Sequence, residues 1–241
     1  MKIPFKQGLT SQQKDTIAKL VEGKHIGLWS SQDKANWAYA TNNAPLPKVA
    51  SSVISAHLRT LFVDLGHSSR FPGASGVKRE IAWNRDIWSY LKSKLDLSKW
   101  NVVLVPESYG LFDLTSNGNL INRIKYINSR CKDGDWVLSI HGNAASNPNV
   151  RGVTTCYMGG SEYMLKKAVS LSQAYSKATG TPLWGSGAFD DRMSRYKRLG
   201  MVRDTRPPAL LIECGFVTNK DDMSVGPMNI AEAIAKWFNT L

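Results

Sequence analysis

Cysteine is scarce in this chain of 241 residues: Cys131, Cys156 and Cys214 are all it has, far apart and with no CxxC pair. A disulfide framework and a thiolate zinc site are therefore excluded as organising devices. No run approaches the roughly 18–20 consecutive apolar residues that a helix needs to cross a bilayer, so no membrane span is expected. The opening residues, Met1 to Gln7, contain no apolar stretch of secretory length, which predicts synthesis and folding in the cytoplasm. No HExxH occurs, which removes the helical zinc-peptidase motif. Acidic side chains are also in deficit. The chain has 31 Lys+Arg against 19 Asp+Glu, a net charge of +12 and a pI near 9.7, so it should be drawn to polyanions such as nucleic acid, acidic wall polymer or anionic lipid. The excess is spread along the chain without a block of five like charges. A generally basic solvated surface accounts for it as well as a specific patch does.

What is present is an ordinary globular composition, 42% hydrophobic and 21% charged, far from the disordered class. The texture changes near residue 58. Before it, helices are predicted over residues 12–22 and 48–58, with Trp29, Trp37 and Tyr39 between them and a Pro45-Leu46-Pro47 break. Residues 1–58 read as an amino-terminal extension or small accessory module, and residues 59–241 as the main domain. In the latter, buried strands are predicted over residues 60–65, 101–105, 136–140, 152–158 and 209–212. Helices are predicted over residues 78–95, 118–131, 161–178 and 229–239, and residues 181–206 read as a polar, glycine-bearing connection. Strands alternating with helices, without a repeat of 20–50 residues, indicate a layered α/β domain.

Three of these strands lead into residues that carry chemistry. The first runs through Asp64-Leu65-Gly66 to His67, the third stops at His141, and the last stops at Glu213. Glu80 opens the helix after the first strand, on the same stripe as Ile87, Leu91 and Leu95. It is either a first-turn residue favoured by the helix dipole or a group aimed at a partner. Open α/β sheets gather ligands at the carboxyl ends of their strands. Two imidazoles and a carboxylate make the His₂Glu set of catalytic zinc, and a second carboxylate is then needed to move protons. The four residues match in type and number. Asp64 reads as a local hydrogen-bond acceptor behind a histidine, Asn143 as a groove residue, and Cys156 and Cys214 as small buried hydrophobes. His25 and His57 read as incidental.

Four motifs then coincide in order: Asp64-Leu65-Gly66-His67, Glu80 at a helix start, Ser139-Ile140-His141-Gly142-Asn143-Ala144, and Pro208 to Asn219 around Ile212-Glu213-Cys214-Gly215-Phe216. Together with Arg151-Gly152-Val153 and Val202-Arg203-Asp204, they resemble the zinc-dependent N-acetylmuramoyl-L-alanine amidases of the amidase type 3 family, from about residue 60 to the carboxyl terminus. The resemblance implies a mixed, mostly parallel six-stranded sheet flanked by helices on both faces. It implies that His67, Glu80 and His141 bind one Zn2+ and that Glu213 is the catalytic carboxylate. The family's reaction is hydrolysis of the amide between the lactyl group of N-acetylmuramic acid and L-alanine of peptidoglycan. Two departures stand out: Ser68-Ser69 where glycines are usual, and Val105-Pro106 where a Thr-Arg pair is common.

The expectation is thus a monomeric cell-wall lytic enzyme acting on peptidoglycan after release, with a phage lysin favoured over a bacterial autolysin. Its basic surface would suit anionic wall polymers, and no specific nucleic acid is expected as partner. The competing readings are a zinc peptidase cutting within the stem peptide and a non-catalytic wall-binding module.

Overall fold

In a computed structural model, residues 58–108 and 115–241 are described, together with two short strands of the amino-terminal unit. Those strands, β1 (Lys2–Pro4) and β2 (Gly27–Trp29), pair in parallel, with Ile3 opposite Leu28. The helix expected over residues 12–22, the one expected over 48–58 apart from its last residue, and both His25 and His57 lie outside the described residues. The chain divides into units spanning Met1–His57 and Leu58–Leu241.

The second unit is built on six strands: β3 (Arg59–Asp64), β4 (Trp100–Leu104), β5 (Trp136–Asn143), β6 (Val153–Tyr157), β7 (Leu183–Asp190) and β8 (Ala209–Phe216). Their order is β4-β3-β5-β8-β6-β7. Every pairing is parallel except β6 against β8. The sheet is therefore mixed and mostly parallel, as expected. The carboxyl ends of β3, β5 and β8 share one edge with the amino end of β6.

Central strands covered on both faces need apolar residues at successive positions, and β3, β5 and β8 have them. One face carries Leu61, Val63, Leu138, Ile140, Leu210 and Ile212. It packs against α1 (Glu80–Lys94), α3 (Glu162–Thr179) and α6 (Pro227–Phe238) through Ile87, Leu171, Ile234 and Phe238, among others. The opposite face carries Phe62, Val137, Cys156 and Leu211. It is covered by Ile124 and Ile127 of α2 (Ser116–Asn128) and by Met201 and Val202 of α4 (Gly200–Arg203). A fifth short helix, α5 (Lys220–Ser224), follows β8. Each fully buried aliphatic side chain in these layers contributes about 1.5–3 kcal/mol relative to exposure.

The helix boundaries follow local chemistry. Thr115 caps α2 by accepting from Gly118 N, and Ser161 caps α3 by accepting from Met164 N. Gly180, at φ 75°, ends α3. Pro227 opens α6, where its missing N–H costs nothing.

Two results differ from the sequence reading. Strands β5 and β8 do not stop at His141 and Glu213 but continue to Asn143 and Phe216. A register irregularity between His141 and Asn143 absorbs the extension. The sixth strand, β7, lies in the segment read as a polar connection. It is an edge strand, only partly buried, and its register shifts by several residues between Leu183 and Ala188. Gly185 and Gly187 take positive φ there, so alternation never develops and the strand leaves no period-2 signal.

Candidate metal centre

The path from β3 to the first histidine is held by a buried cluster of charges. Asp64, 1% exposed, accepts from Arg123 Nη1, from Ser139 Oγ at 2.6 Å and from Gly66 N at 3.1 Å. Arg123 also donates to Gly66 O at 2.6 Å and to Asn119 Oδ1 at 3.1 Å. Burial pushes the Asp64 carboxyl up, but the Arg123 guanidinium and the hydrogen bonds outweigh it, and the group stays ionised. Both the N–H and the C=O of Gly66 are thereby fixed, one residue before His67. Gly66 has φ 76°, and a Cβ there would lie 2.6 Å from the His141 ring. Only glycine lets the loop pass that close.

A second device brings the two histidines together. Asn84, fully buried on α1, donates from Nδ2 to Leu65 O and to Ile140 O, each at 2.9 Å. One amide thus spans the ends of β3 and β5, just before His67 and His141. Asn84 lies four residues after Glu80, one helical turn along the same face. Neither Asn84 nor Arg123 was singled out from the sequence. The i,i+4 spacing to Glu80 was the available signal for the first, and a lone arginine among the apolar residues of α2 for the second.

Glu80, 3% exposed, sits between the imidazoles. Its Oε1 lies 3.1 Å from His67 Nε2 and 2.9 Å from His141 Nδ1, and accepts from Gly142 N at 3.1 Å. Its Oε2 accepts from Ala74 N at 2.8 Å. A Cβ at Gly73 would meet Glu80 Oε2 and the His67 ring, so a second glycine makes room on the other side. Burial raises the Glu80 carboxyl, yet the hydrogen bonds and positive charge of the two histidines drive it well below the usual carboxylate range. Burial lowers the His141 imidazole, and the carboxylates of Glu80, Glu213 and Asp64 more than restore it.

The three expected ligands therefore converge. One donor atom from each of His67, Glu80 and His141 lies within 4.8 Å of the other two, a spacing suited to one shared ion at about 2.0–2.2 Å from each. Two imidazole nitrogens and one carboxylate oxygen suit zinc in particular.

Glu213 is the register partner of His141 across β5 and β8, so the two side chains leave the same face side by side. Glu213 is half-buried, but its Oε2 is shut off from solvent and has no hydrogen-bond partner among the described residues. Burial, reinforced by the negative charge of Glu80 and opposed by His141, pushes this carboxyl up from 4.5 to about 7. A carboxyl that titrates near neutrality beside a cluster able to hold an ion is suited to take up and release a proton.

The loop departures have structural roles. Ser68 Oγ accepts from Phe71 N at 3.2 Å. Ser69 N donates to Glu107 Oε2 at 3.2 Å, and Arg85, which donates to Glu107 Oε1 at 2.6 Å, also reaches Ser69 Oγ at 2.6 Å. Ser69 and Glu107, which follows Val105-Pro106, are therefore joined both directly and through Arg85. Asn143 turns its own backbone, its Oδ1 accepting from Ala144 N at 2.8 Å. Arg151 pairs with Asp221 and Asp222, and Arg203 with Asp191. The thiols of Cys156 and Cys214 are buried and pushed well above their usual range by burial, as core residues should be.

An open α/β sheet with a His–Glu–His cluster and a separate raised glutamate at one edge defines a candidate metallohydrolase. A family model described as N-acetylmuramoyl-L-alanine amidase (Amidase_3) matches residues 61–236, and the chain belongs to that family. Among curated proteins it is similar to a probable cell wall amidase, LytH, of Staphylococcus epidermidis, 27% identical over 168 residues, covering 69% of this chain and 51% of the relative. The Staphylococcus aureus LytH is 25% identical over 164 residues, covering 68% and 50%. The chain spans about half the length of these curated relatives. Among solved structures, the CwlD amidase of Clostridioides difficile, in complex with the GerS lipoprotein, aligns with TM-score 0.63 at 23% identity, covering 76% of this chain and 100% of that one. The catalytic domain of the CD27L endolysin targeting Clostridia difficile aligns with TM-score 0.59 at 23% identity, covering 74% and 96%. These structures share its fold.

Proposed function

We propose that this chain is a zinc-dependent N-acetylmuramoyl-L-alanine amidase that degrades peptidoglycan at the cell wall. The observation that carries the reading is the convergence of His67, Glu80 and His141 on one point, with Glu213 directly beside His141 on the same sheet face. His67, Glu80 and His141 would hold the ion, which supplies Lewis acidity toward the carbonyl and makes water more acidic. Asp64, Arg123 and Asn84 keep the two imidazoles at their positions. Glu213 accepts a proton from the attacking water, whose oxygen bonds to the lactyl carbonyl carbon. As the C–N bond breaks, Glu213 returns that proton to the departing amino group of L-alanine. Among the described residues no helix is long and apolar enough to cross a membrane, and the net charge of +12 favours an anionic substrate surface.

Mass spectrometry of digested murein tests the reading. Muramic acid with a free lactyl carboxylate and intact stem peptides beginning at L-alanine are the expected products. Shortened stems would assign a peptidase instead, and unchanged murein a binding module.

A further inference from the structure

The antiparallel contact between β6 and β8 places Thr154 directly opposite Glu213. Directly opposed residues of an antiparallel pair leave the same sheet face, with Cβ atoms about 4.5–5.5 Å apart. Thr154 is 1% exposed, and its Oγ1 has no hydrogen-bond partner among the described residues, a property it shares with Glu213 Oε2. The adjacent Thr155, on the other face, shows the ordinary arrangement: its hydroxyl pairs with Ser172 Oγ at 2.7 Å. A buried hydroxyl without a partner is costly, and valine would fill a buried strand position with the same β-branched shape at no such cost.

The register that sets Thr154 against Glu213 is pinned locally. Asp222 Oδ2 accepts from Gly152 N at 2.8 Å and from Phe216 N at 2.9 Å. One carboxylate oxygen thus ties the residue before β6 to the end of β8. Slipping by one residue would turn Thr154 to the opposite face.

We infer that Thr154 is a positioning residue for Glu213: its hydroxyl donates to Glu213 Oε2 in the working enzyme and holds the carboxylate beside His141. The inference rests on the reading of Glu213 as the proton-transfer group.

Steady-state kinetics of the zinc-loaded full chain on soluble muropeptide test it, with Thr154→Val, Thr154→Ser and Glu213→Ala compared with the unaltered protein. Thr154→Val should lower kcat about ten- to hundred-fold, the scale of one hydrogen bond to a charged group. KM should stay within about twofold and the melting temperature should not fall, because the side-chain shape is retained. Thr154→Ser, which keeps the hydroxyl and loses the methyl, should recover kcat to within about threefold. Unchanged kcat in Thr154→Val, failure of serine to rescue, or a change confined to KM would each overturn the inference. A misfolded Thr154→Val leaves Thr154→Ser to decide, since a purely steric role predicts that serine is impaired too. Full activity in Glu213→Ala would remove the reading beneath it, an outcome separate from any result at Thr154.

Discussion

His141 and Glu213 are register partners on β5 and β8, so the parallel ladder itself sets an imidazole of the His–Glu–His cluster beside the raised carboxylate. Nothing in a loop has to close for the two to be neighbours. The sheet holds these two residues, α1 supplies Glu80 between the imidazoles, and the loop after β3 brings His67 to them.

The cluster predicts metal binding by three separated residues. Protein dialysed against chelator should rebind one equivalent of zinc, and His67→Ala or His141→Ala should weaken binding by orders of magnitude. Zinc at a thousand times its Kd should stabilise the native state by about 4 kcal/mol. That corresponds to roughly 2–4 °C of melting temperature per kcal/mol for a domain of this size. Calorimetry with and without zinc checks both statements, and unchanged melting on zinc addition would count against the cluster as an ion site.

Asn84 predicts a coupling between the helix and the ion. Asn84→Leu leaves the carbonyls of Leu65 and Ile140 without the donor that joins them. An unsatisfied buried acceptor costs about 1–3 kcal/mol, and loss of such support typically weakens metal affinity about 10–100-fold. Urea unfolding and zinc competition with a chelator should show both losses in one variant. Normal zinc affinity would confine Asn84 to a packing role.

Glu213 predicts an unusual pH dependence of stability in the zinc-free protein. Its carboxyl is raised from 4.5 to about 7 on folding, so the native state holds the proton more tightly than the unfolded chain. The associated stability is fully present below about pH 4.5 and is lost as pH rises through about 7. It amounts to something on the order of 3 kcal/mol. Glu213→Gln removes the titrating group and should flatten this part of the profile. Urea midpoints measured between pH 4.5 and 8 compare the two proteins, and parallel profiles would place the titration elsewhere.

The Asp64–Arg123 pair predicts a steep single-mutant cost. Arg123→Met leaves a buried carboxylate alone, which should cost about 3–5 kcal/mol. Adding Asp64→Asn removes the stranded charge and should recover part of that loss. Chemical denaturation of the two variants measures the recovery, and additive losses would show that the charges do not act as a pair.

Much of this protein is legible along the chain. The apolar runs around Leu61, Leu138 and Leu210 mark central strands because both of their faces are covered, and the caps at Ser161 and Gly180 mark helix ends by local hydrogen bonding. The chemistry-bearing residues stand out because strands of this class deliver side chains at their carboxyl edge. The family motifs single out the same His67, Glu80 and His141 that the structure brings together. Strand β7 was not legible, since an irregular, partly exposed edge strand has neither a continuous apolar run nor alternation. Asn84 and Arg123 were missed for a related reason. Their partners are backbone groups and a carboxylate 19 to 59 positions away, so local spacing can mark the two residues but not what they bind.

The sequence by itself determined the α/β class and singled out His67, Glu80, His141 and Glu213 as the chemistry-bearing residues, because these depend on residue type and short spacing. Only the tertiary structure decided that β6 runs against β8, which sets Thr154 opposite Glu213. It also decided that Asn84 joins the ends of β3 and β5, and that Ser69, Arg85 and Glu107 link two distant loops. Those relationships depend on strand direction and on long-range hydrogen bonds between groups that must be satisfied once buried, and they come into being only when the layers close.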